Sequence, residues 1–168
     1  TEGGNAIADI LFGDHNPAGK LPISFPRSAG QIPTYYNALR IGRPYTEGKP
    51  GNYTSQYFEE EQGALYPFGF GRSFSQFTLT DLKLSTNRIK RGEKLTAEAT
   101  LTNTGSFAGA NVVQLYIADP YASIARPVKE LKGFQKVTLK PGESRVVRFE
   151  IGPDQLKFVN GELKEVME

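Results

Sequence analysis

Hydrophobic residues change their period along this chain. In residues 5–12, NAIADILF, Ile7, Ile10 and Leu11 fall at the i, i+3, i+4 spacing of a helix face. Asn5 is the expected N-cap and Gly13 the expected stop. DHNPAG then reads as a turn in which Asp14 and Asn16 bond back to nearby backbone and Pro17 bars further helix. KLPISFP places Leu21, Ile23 and Phe25 on one side of a short extended segment. Pro22 lacks an N–H, so the segment is an edge or irregular strand. Residues 27–63 hold no sustained period. They are rich in Gly, Pro and polar residues and carry Tyr35, Tyr36, Tyr45, Tyr53, Tyr57 and Phe58. A run of this kind is expected to be functional or to wrap a neighbouring surface.

From Phe77 onward the period becomes two. TLTDLKLS carries Leu79, Leu82 and Leu84, with a slip of phase near Asp81 that predicts a bulge or a strand changing sheets. KLTAEATLTN alternates cleanly, with Leu95, Ala97, Ala99 and Leu101 facing inward. NVVQLYIADP sets Val113, Leu115 and Ile117 on one face, and SRVVRFEI does the same with Val147, Phe149 and Ile151. Pro141-Gly142 suits the centre of a type II turn, and Asn160-Gly161 is a hairpin signal joining LKFV to ELKEVM. Short strands separated by turn residues, with no helical stretch between them, predict an antiparallel β-sandwich. The single helix and strand before it read as the end of an α/β layer.

Composition adds exclusions. The 168 residues are 38% hydrophobic and 23% charged, an ordinary globular balance. A net charge of +2, from 20 basic and 18 acidic residues well interspersed, gives no reason to expect nucleic acid or membrane partners. With no Cys there are no disulfides or thiolate metal sites, and with His15 as the only histidine no multi-His metal site or His-based triad. No metal and no cofactor is expected. The opening residues, TEGGNAIADILFG, read as mid-domain sequence, so the chain is expected to begin inside a longer parent. Glu59-Glu60-Glu61 is the densest carboxylate cluster, but adjacent residues on an irregular loop do not face a shared site. NYT at 52–54 matches a glycosylation sequon, a triplet frequent by chance.

Three segments in order, GNAIADILFGDHNPAGKLPISFP, GALYPFGFGRSFSQF and RPVKELKGFQKVTLKPGES, resemble the C-terminal part of family 3 glycoside hydrolases, the bacterial periplasmic β-glucosidases above all. The resemblance implies a layout of β/α barrel, α/β sandwich domain and fibronectin type III-like domain. Residues 1–72 would then be the end of the α/β sandwich domain and its linker loop. Residues 73–168 would be a fibronectin type III-like (immunoglobulin-like) antiparallel β-sandwich lacking its last strands. The implied parent is a retaining, exo-acting β-glucosidase acting on terminal β-D-glucosyl residues of glucosides and gluco-oligosaccharides. Its catalytic nucleophile and acid/base lie upstream, so no catalytic residue falls on this chain, which is expected to be inactive alone. The implied location is periplasmic or secreted, and the implied partners are the upstream barrel and α/β domains. Homo-oligomerisation stays open, as do a β-xylosidase or N-acetylglucosaminidase parent and a non-catalytic carbohydrate-binding or adhesion module.

Within that layout Tyr53, Tyr57 and Phe58 are the candidate substrate-binding residues, bordering the leaving-group side of the parent's pocket. Tyr and Phe rings stack on the apolar faces of sugars, and Tyr hydroxyls reach sugar hydroxyls. The competing expectation is that these rings pin the loop to its neighbours. Arg43 and Arg126 are candidates to reach a carboxylate across a domain junction, and DPYASIARP, residues 119–127, is the expected contact of the β module. Outward Lys, Thr, Glu and Arg on the strands favour a brace over a binding strip, with Tyr116 and Tyr121 as exceptions. In ALYPFGFGRSFSQF, Gly69 and Gly71 allow close approach or positive φ, and Phe68, Phe70, Phe74 and Phe77 are expected to bury as a hinge pin.

Overall fold

The structure is a computed structural model describing residues 2–44, 53–57 and 59–168. Tyr45, Phe58 and the sequon's Asn52 lie outside the described residues. Helix α1 spans Gly3–Phe12 and is capped by Glu2, not by Asn5. The Asn5 amide instead donates to the Glu2 carboxylate at 2.6 Å, inside the first turn. Gly3 and Gly4 adopt helical geometry without steric cost, which moves the start upstream of the expected cap. Gly13 ends the helix at φ 86° and donates to the Ile10 carbonyl, as the sequence implies. The apolar face of Ile7, Ile10 and Leu11 is exposed.

Leu21 to Phe25 forms no strand. It pairs with the aromatic stretch at two points: Leu21 exchanges backbone bonds with Phe70 and Gly69, both 2.8 Å, and Phe25 with Tyr66. Pro22 and Pro67 have no N–H to extend the ladder.

The β module begins at Phe77. Strands β1 (Phe77–Leu84), β2 (Leu95–Asn103) and β5 (Ser144–Ile151) form one antiparallel sheet in the order β1-β2-β5. Strands β3 (Gly109–Ile117) and β4 (Glu130–Leu139) form a second. A single turn of helix, α2 (Pro153–Leu156), leads to the hairpin β6 (Phe158–Val159) and β7 (Glu165–Val166). The two larger sheets face each other across Leu101 and Val147 on one side and Val113, Val137 and Leu139 on the other, with Phe77 and Phe149 at the margin. This is the expected sandwich.

The phase slip also holds. β1 shifts register between Thr80 and Lys83, with Asp81 at φ 56°. Leu79 pairs with Leu101 yet stays 53% exposed, because β1 is the edge of its sheet and only two strands oppose it among the described residues. Among the described residues, the far edge of β3 has no strand beside it. In the last hairpin the positive φ falls on Leu163, at 60°, while Asn160 accepts from three backbone N–H groups through its carbonyl and side-chain oxygens.

Between α1 and the module lies a polar joint. The Asn16 side-chain oxygen accepts from the Ser73 hydroxyl (2.8 Å) and the Phe74 N–H (3.0 Å). Its nitrogen donates to the Ser75 hydroxyl (2.8 Å) and the Ala108 carbonyl (2.9 Å). Asn16 therefore does not bond back into its own turn, as the sequence suggests; its partners stand 57 to 92 residues away. Ser75 passes the chain on to the Phe107 carbonyl, which also accepts from Asn103, a fully buried amide that reaches the Leu139 carbonyl as well.

Around this joint the aromatic stretch packs only in part as expected. Phe68 stacks on Tyr36 at 4.0 Å and meets Tyr116 of β3 edge-on at 6.5 Å. Phe70 tilts against Tyr66 at 5.2 Å. Phe68, Phe70 and Phe77 are half-buried, whereas Phe74 is exposed. Ser73 and Ser75 turn inward to serve Asn16, so the residue between them must face out. Gly69 sits at φ 81°, and an added Cβ would meet Gln114 at 2.5 Å and Tyr116 at 2.7 Å; at Gly71 it would strike the Gly19 carbonyl. Gly69→Ala is expected to destabilise the chain by roughly 2 to 4 kcal/mol in denaturant unfolding, from backbone strain and overpacking together. Gly13→Ala has the same strain at φ 86° but open space around it, and should cost only about 1 kcal/mol.

The β4–β5 turn is the type II turn anticipated at Pro141-Gly142: Glu143 N–H donates to the Lys140 carbonyl at 3.0 Å and Gly142 has φ 75°. The Glu143 carboxylate accepts from the Lys140 N–H at 2.8 Å and from Arg145 at 3.0 Å. These contacts, the backbone one foremost, hold its pKa below the ordinary 4.5. A lowered carboxylate stabilises the folded state above its unfolded value, and the contribution is lost as pH falls through the folded value. Carboxyl NMR should place the Glu143 midpoint below 4.5, and Glu143→Gln should flatten the acid-side loss of stability.

Candidate functional site

The loop after Phe25 starts from a polar base. Gln31, 3% exposed, accepts from the Arg27 N–H at 2.8 Å and donates to the Glu61 carbonyl at 3.2 Å. Arg27 pairs with the Glu61 carboxylate at 2.8 Å. Gln62 donates to the Tyr57 carbonyl at 3.0 Å. The loop's returning end is thus fixed on residues 27–31. Its outgoing end is fixed on the β module. Tyr36 lies against Phe68 and Tyr116, and its hydroxyl accepts from the Leu131 N–H at 3.3 Å. Arg40 N–H donates to the Arg126 carbonyl at 3.2 Å and Val128 N–H to the Ala38 carbonyl at 2.9 Å.

The candidate side chains hang from these two bases. Tyr53 is 78% exposed, with the Arg43 guanidinium 5.9 Å from its ring centre, and Ser55 N–H donates to the Arg43 carbonyl at 2.9 Å. Tyr57 is 46% exposed and lines an open cavity of about 400 Å³ with Ser28, Gly30, Glu59 and Glu60. Phe58 lies outside the described residues. Tyr57, beside Glu59 and Glu60, and Tyr53, beside Arg43, present accessible rings that can stack on a sugar, and their hydroxyls can hydrogen-bond its hydroxyls. They cannot by themselves cleave a glycoside, which needs two opposed carboxyl groups. Glu61 is drawn to Arg27, so the Glu59–Glu61 run does not converge on one point.

Among the described residues, the carboxylates that meet Arg126 lie on its own side of the junction. Its partners, Glu130 at 2.5 Å and Asp119 at 3.8 Å, belong to the β module, and its guanidinium lies 4.3 Å over the Phe158 ring. Among the described residues, Arg43 faces the Tyr53 ring. The 119–127 loop does make the expected contact, through Pro127 opposite Leu39, while Tyr121 on it is 90% exposed. Tyr116 is half-buried beneath the linker, because Tyr36 and Phe68 cover it. The suspension of the loop between two bases escaped sequence reading; Arg126, Pro127 and Tyr36 carry it, and only their side-chain types gave a hint.

Residues 1–74 match the Glycosyl hydrolase family 3 C-terminal domain, and residues 111–168 the Fibronectin type III-like domain. The chain is 58% identical over 164 residues to a periplasmic beta-glucosidase of Salmonella typhimurium, covering 98% of this chain and 21% of that protein. It is 42% identical over 166 residues to a putative beta-xylosidase of Formosa agariphila, covering 99% and 21%. The crystal structure of a beta-glucosidase from Listeria innocua in complex with isofagomine superposes with a TM-score of 0.91 at 46% identity, over 100% of this chain and 24% of that one. The chain thus spans about a fifth of the length of the curated relatives it matches.

Proposed function

The chain belongs to glycosyl hydrolase family 3, and from that premise we propose that it forms the C-terminal part of a retaining, exo-acting β-glucosidase releasing terminal β-D-glucosyl residues. The observation that supports this best is the 58% identity, over almost the whole chain, to a protein named a periplasmic beta-glucosidase. The same name supports a periplasmic location; among the described residues no helix is long and apolar enough to cross a membrane. The Formosa relatives at 42–43% identity support a β-xyloside as the alternative substrate.

Retaining hydrolysis uses a carboxylate that attacks the anomeric carbon and a second, about 5–5.5 Å away, that protonates the leaving oxygen and then deprotonates water. In this proposal both belong to other parts of the protein. Residues 1–72 are the C-terminal end of the α/β sandwich domain and its linker loop; residues 73–168 are the fibronectin type III-like β module, lacking its last strands. Tyr53 and Tyr57 border the leaving-group side, where ring faces hold the aglycone without taking part in bond breaking; Phe58, the third candidate, lies outside the described residues. Exposure of Tyr53 and Tyr57 on a loop fixed at both ends supports that role.

The full-length protein should hydrolyse a chromogenic β-glucoside faster than the matching β-xyloside or N-acetylglucosaminide, and the 168-residue chain should hydrolyse none of them. Activity of the highly purified chain alone would overturn the assignment of the carboxylates to other parts. Tyr57→Ala in the full-length protein should raise KM about 3- to 10-fold with kcat little changed, the signature of a lost binding contact.

A further inference from the structure

We propose that Arg126 is a positioning residue for the tyrosine-bearing loop, so that the β module governs how that loop meets substrate. This rests on the sugar-facing role proposed for Tyr53 and Tyr57.

The loop between β3 and β4 has no strand of its own, yet its end is tied from several directions through one side chain. The Arg126 guanidinium binds Glu130 on β4, approaches Asp119 just past β3, and covers Phe158 of β6, itself 6% exposed. The Arg126 side chain is 11% exposed. A lysine offers neither the planar fork nor the stacking surface that these contacts use. The Nε is buried and has no hydrogen-bond acceptor, since Asp119 stops at 3.8 Å.

That backbone is the anchor of the linker. The Arg126 carbonyl takes the Arg40 N–H, Leu39 stands opposite Pro127, and Val128 donates to Ala38. Pro127 has no N–H, so the two bonds fall on its neighbours, and the position of residue 126 sets the register of both. Three residues beyond Arg40, the Arg43 carbonyl accepts from Ser55 and its guanidinium faces Tyr53. The returning end at Tyr57 is held separately through Gln62 and Gln31. A shift at residue 126 therefore displaces one end of the loop against a fixed other end.

The test compares Arg126→Met, Arg126→Lys, Tyr53→Ala and Tyr57→Ala in the full-length protein, reading KM and kcat on an aryl β-glucoside and amide hydrogen exchange at Arg40 and Val128. Arg126→Met should raise KM roughly 3- to 10-fold with kcat within about 2-fold, the scale of remote positioning contacts. It should also speed exchange at both amides while leaving Ala99 and Val113 protected, and Arg126→Lys should recover only part of each effect. Arg40→Pro, which removes the donor to the Arg126 carbonyl without touching the module's interior, should raise KM to the same degree and keeps the proposal testable if Arg126→Met does not fold. Unchanged KM in Arg126→Met and Arg40→Pro, while the tyrosine variants raise it, overturns the positioning role alone. Unchanged KM in both tyrosine variants overturns the sugar-facing reading. Unchanged exchange at Arg40 and Val128 shows that Arg126 does not hold the anchor and overturns the proposal.

Discussion

Among the ties between the two parts of this chain, the carboxamide of Asn16 is the one that joins the linker's entry to the start of β3 through a single side chain. An amide side chain can accept two hydrogen bonds and donate two, and all four are made here to the Ser73 hydroxyl, the Phe74 N–H, the Ser75 hydroxyl and the Ala108 carbonyl. Two partners lie where the linker enters the β module, Ser75 adjoins them, and the fourth lies at the start of β3. Through Ser75 and the Phe107 carbonyl the chain of bonds continues to Asn103 and the Leu139 carbonyl, inside the sandwich. Ser75 and the Phe107 carbonyl each take part in two of these bonds, so losing one leaves its neighbours unsatisfied, most of all at the buried Asn103–Leu139 end; the Asn16 bonds to Phe74 and Ala108 are exposed. The joint is therefore closer to a single structural element than to four independent contacts.

Other features follow from that placement. With Asn16 fixed, Leu21 and Phe25 can reach the backbone of the aromatic stretch, and Gly69 can pass against Gln114 and Tyr116 where any side chain would collide. Gly109 is needed for the same reason, since a Cβ there would meet Ser75 and Asn16. Phe68 then lies on Tyr36, and Tyr36 carries the start of the tyrosine loop over the second sheet. The aromatic stretch works in part as a packing device: Phe68 covers Tyr116 of β3, Gly69 lets the backbone come close enough for it to do so, Phe70 packs on Tyr66, and Phe74 stays exposed.

The β half was legible in the sequence because burial alternates with the pleat. Ala97, Ala99 and Leu101 are buried while Thr100 and Thr102 are less so, and the slip at Asp81 appears as a shift of register. The N-terminal third was read less well for a physical reason. Asn in a turn is locally expected to bond its own backbone, and nothing in DHNPAG reports partners brought near by folding. Phe74 is exposed, against expectation, because aromatic content alone does not say that the two flanking serines must face the joint. Asn5 was misjudged because two glycines ahead of it can be helical. For the candidate site, the residue types of Tyr53 and Tyr57 suit either stacking on a sugar or pinning the loop, and the pairing of residues 38–40 with 126–128 depends on backbone groups that carry no sequence signal.

The central claim is that Asn16 and Ser75 act as one unit joining the two parts. A double-mutant cycle with Asn16→Ala, Ser75→Ala and the double variant, read by denaturant unfolding of the chain, measures this directly. Each single change should cost about 1–3 kcal/mol and the double change clearly less than their sum, with a coupling of about 1 kcal/mol or more. Additive losses, or an Asn16→Ala variant as stable as the parent chain, would contradict the account.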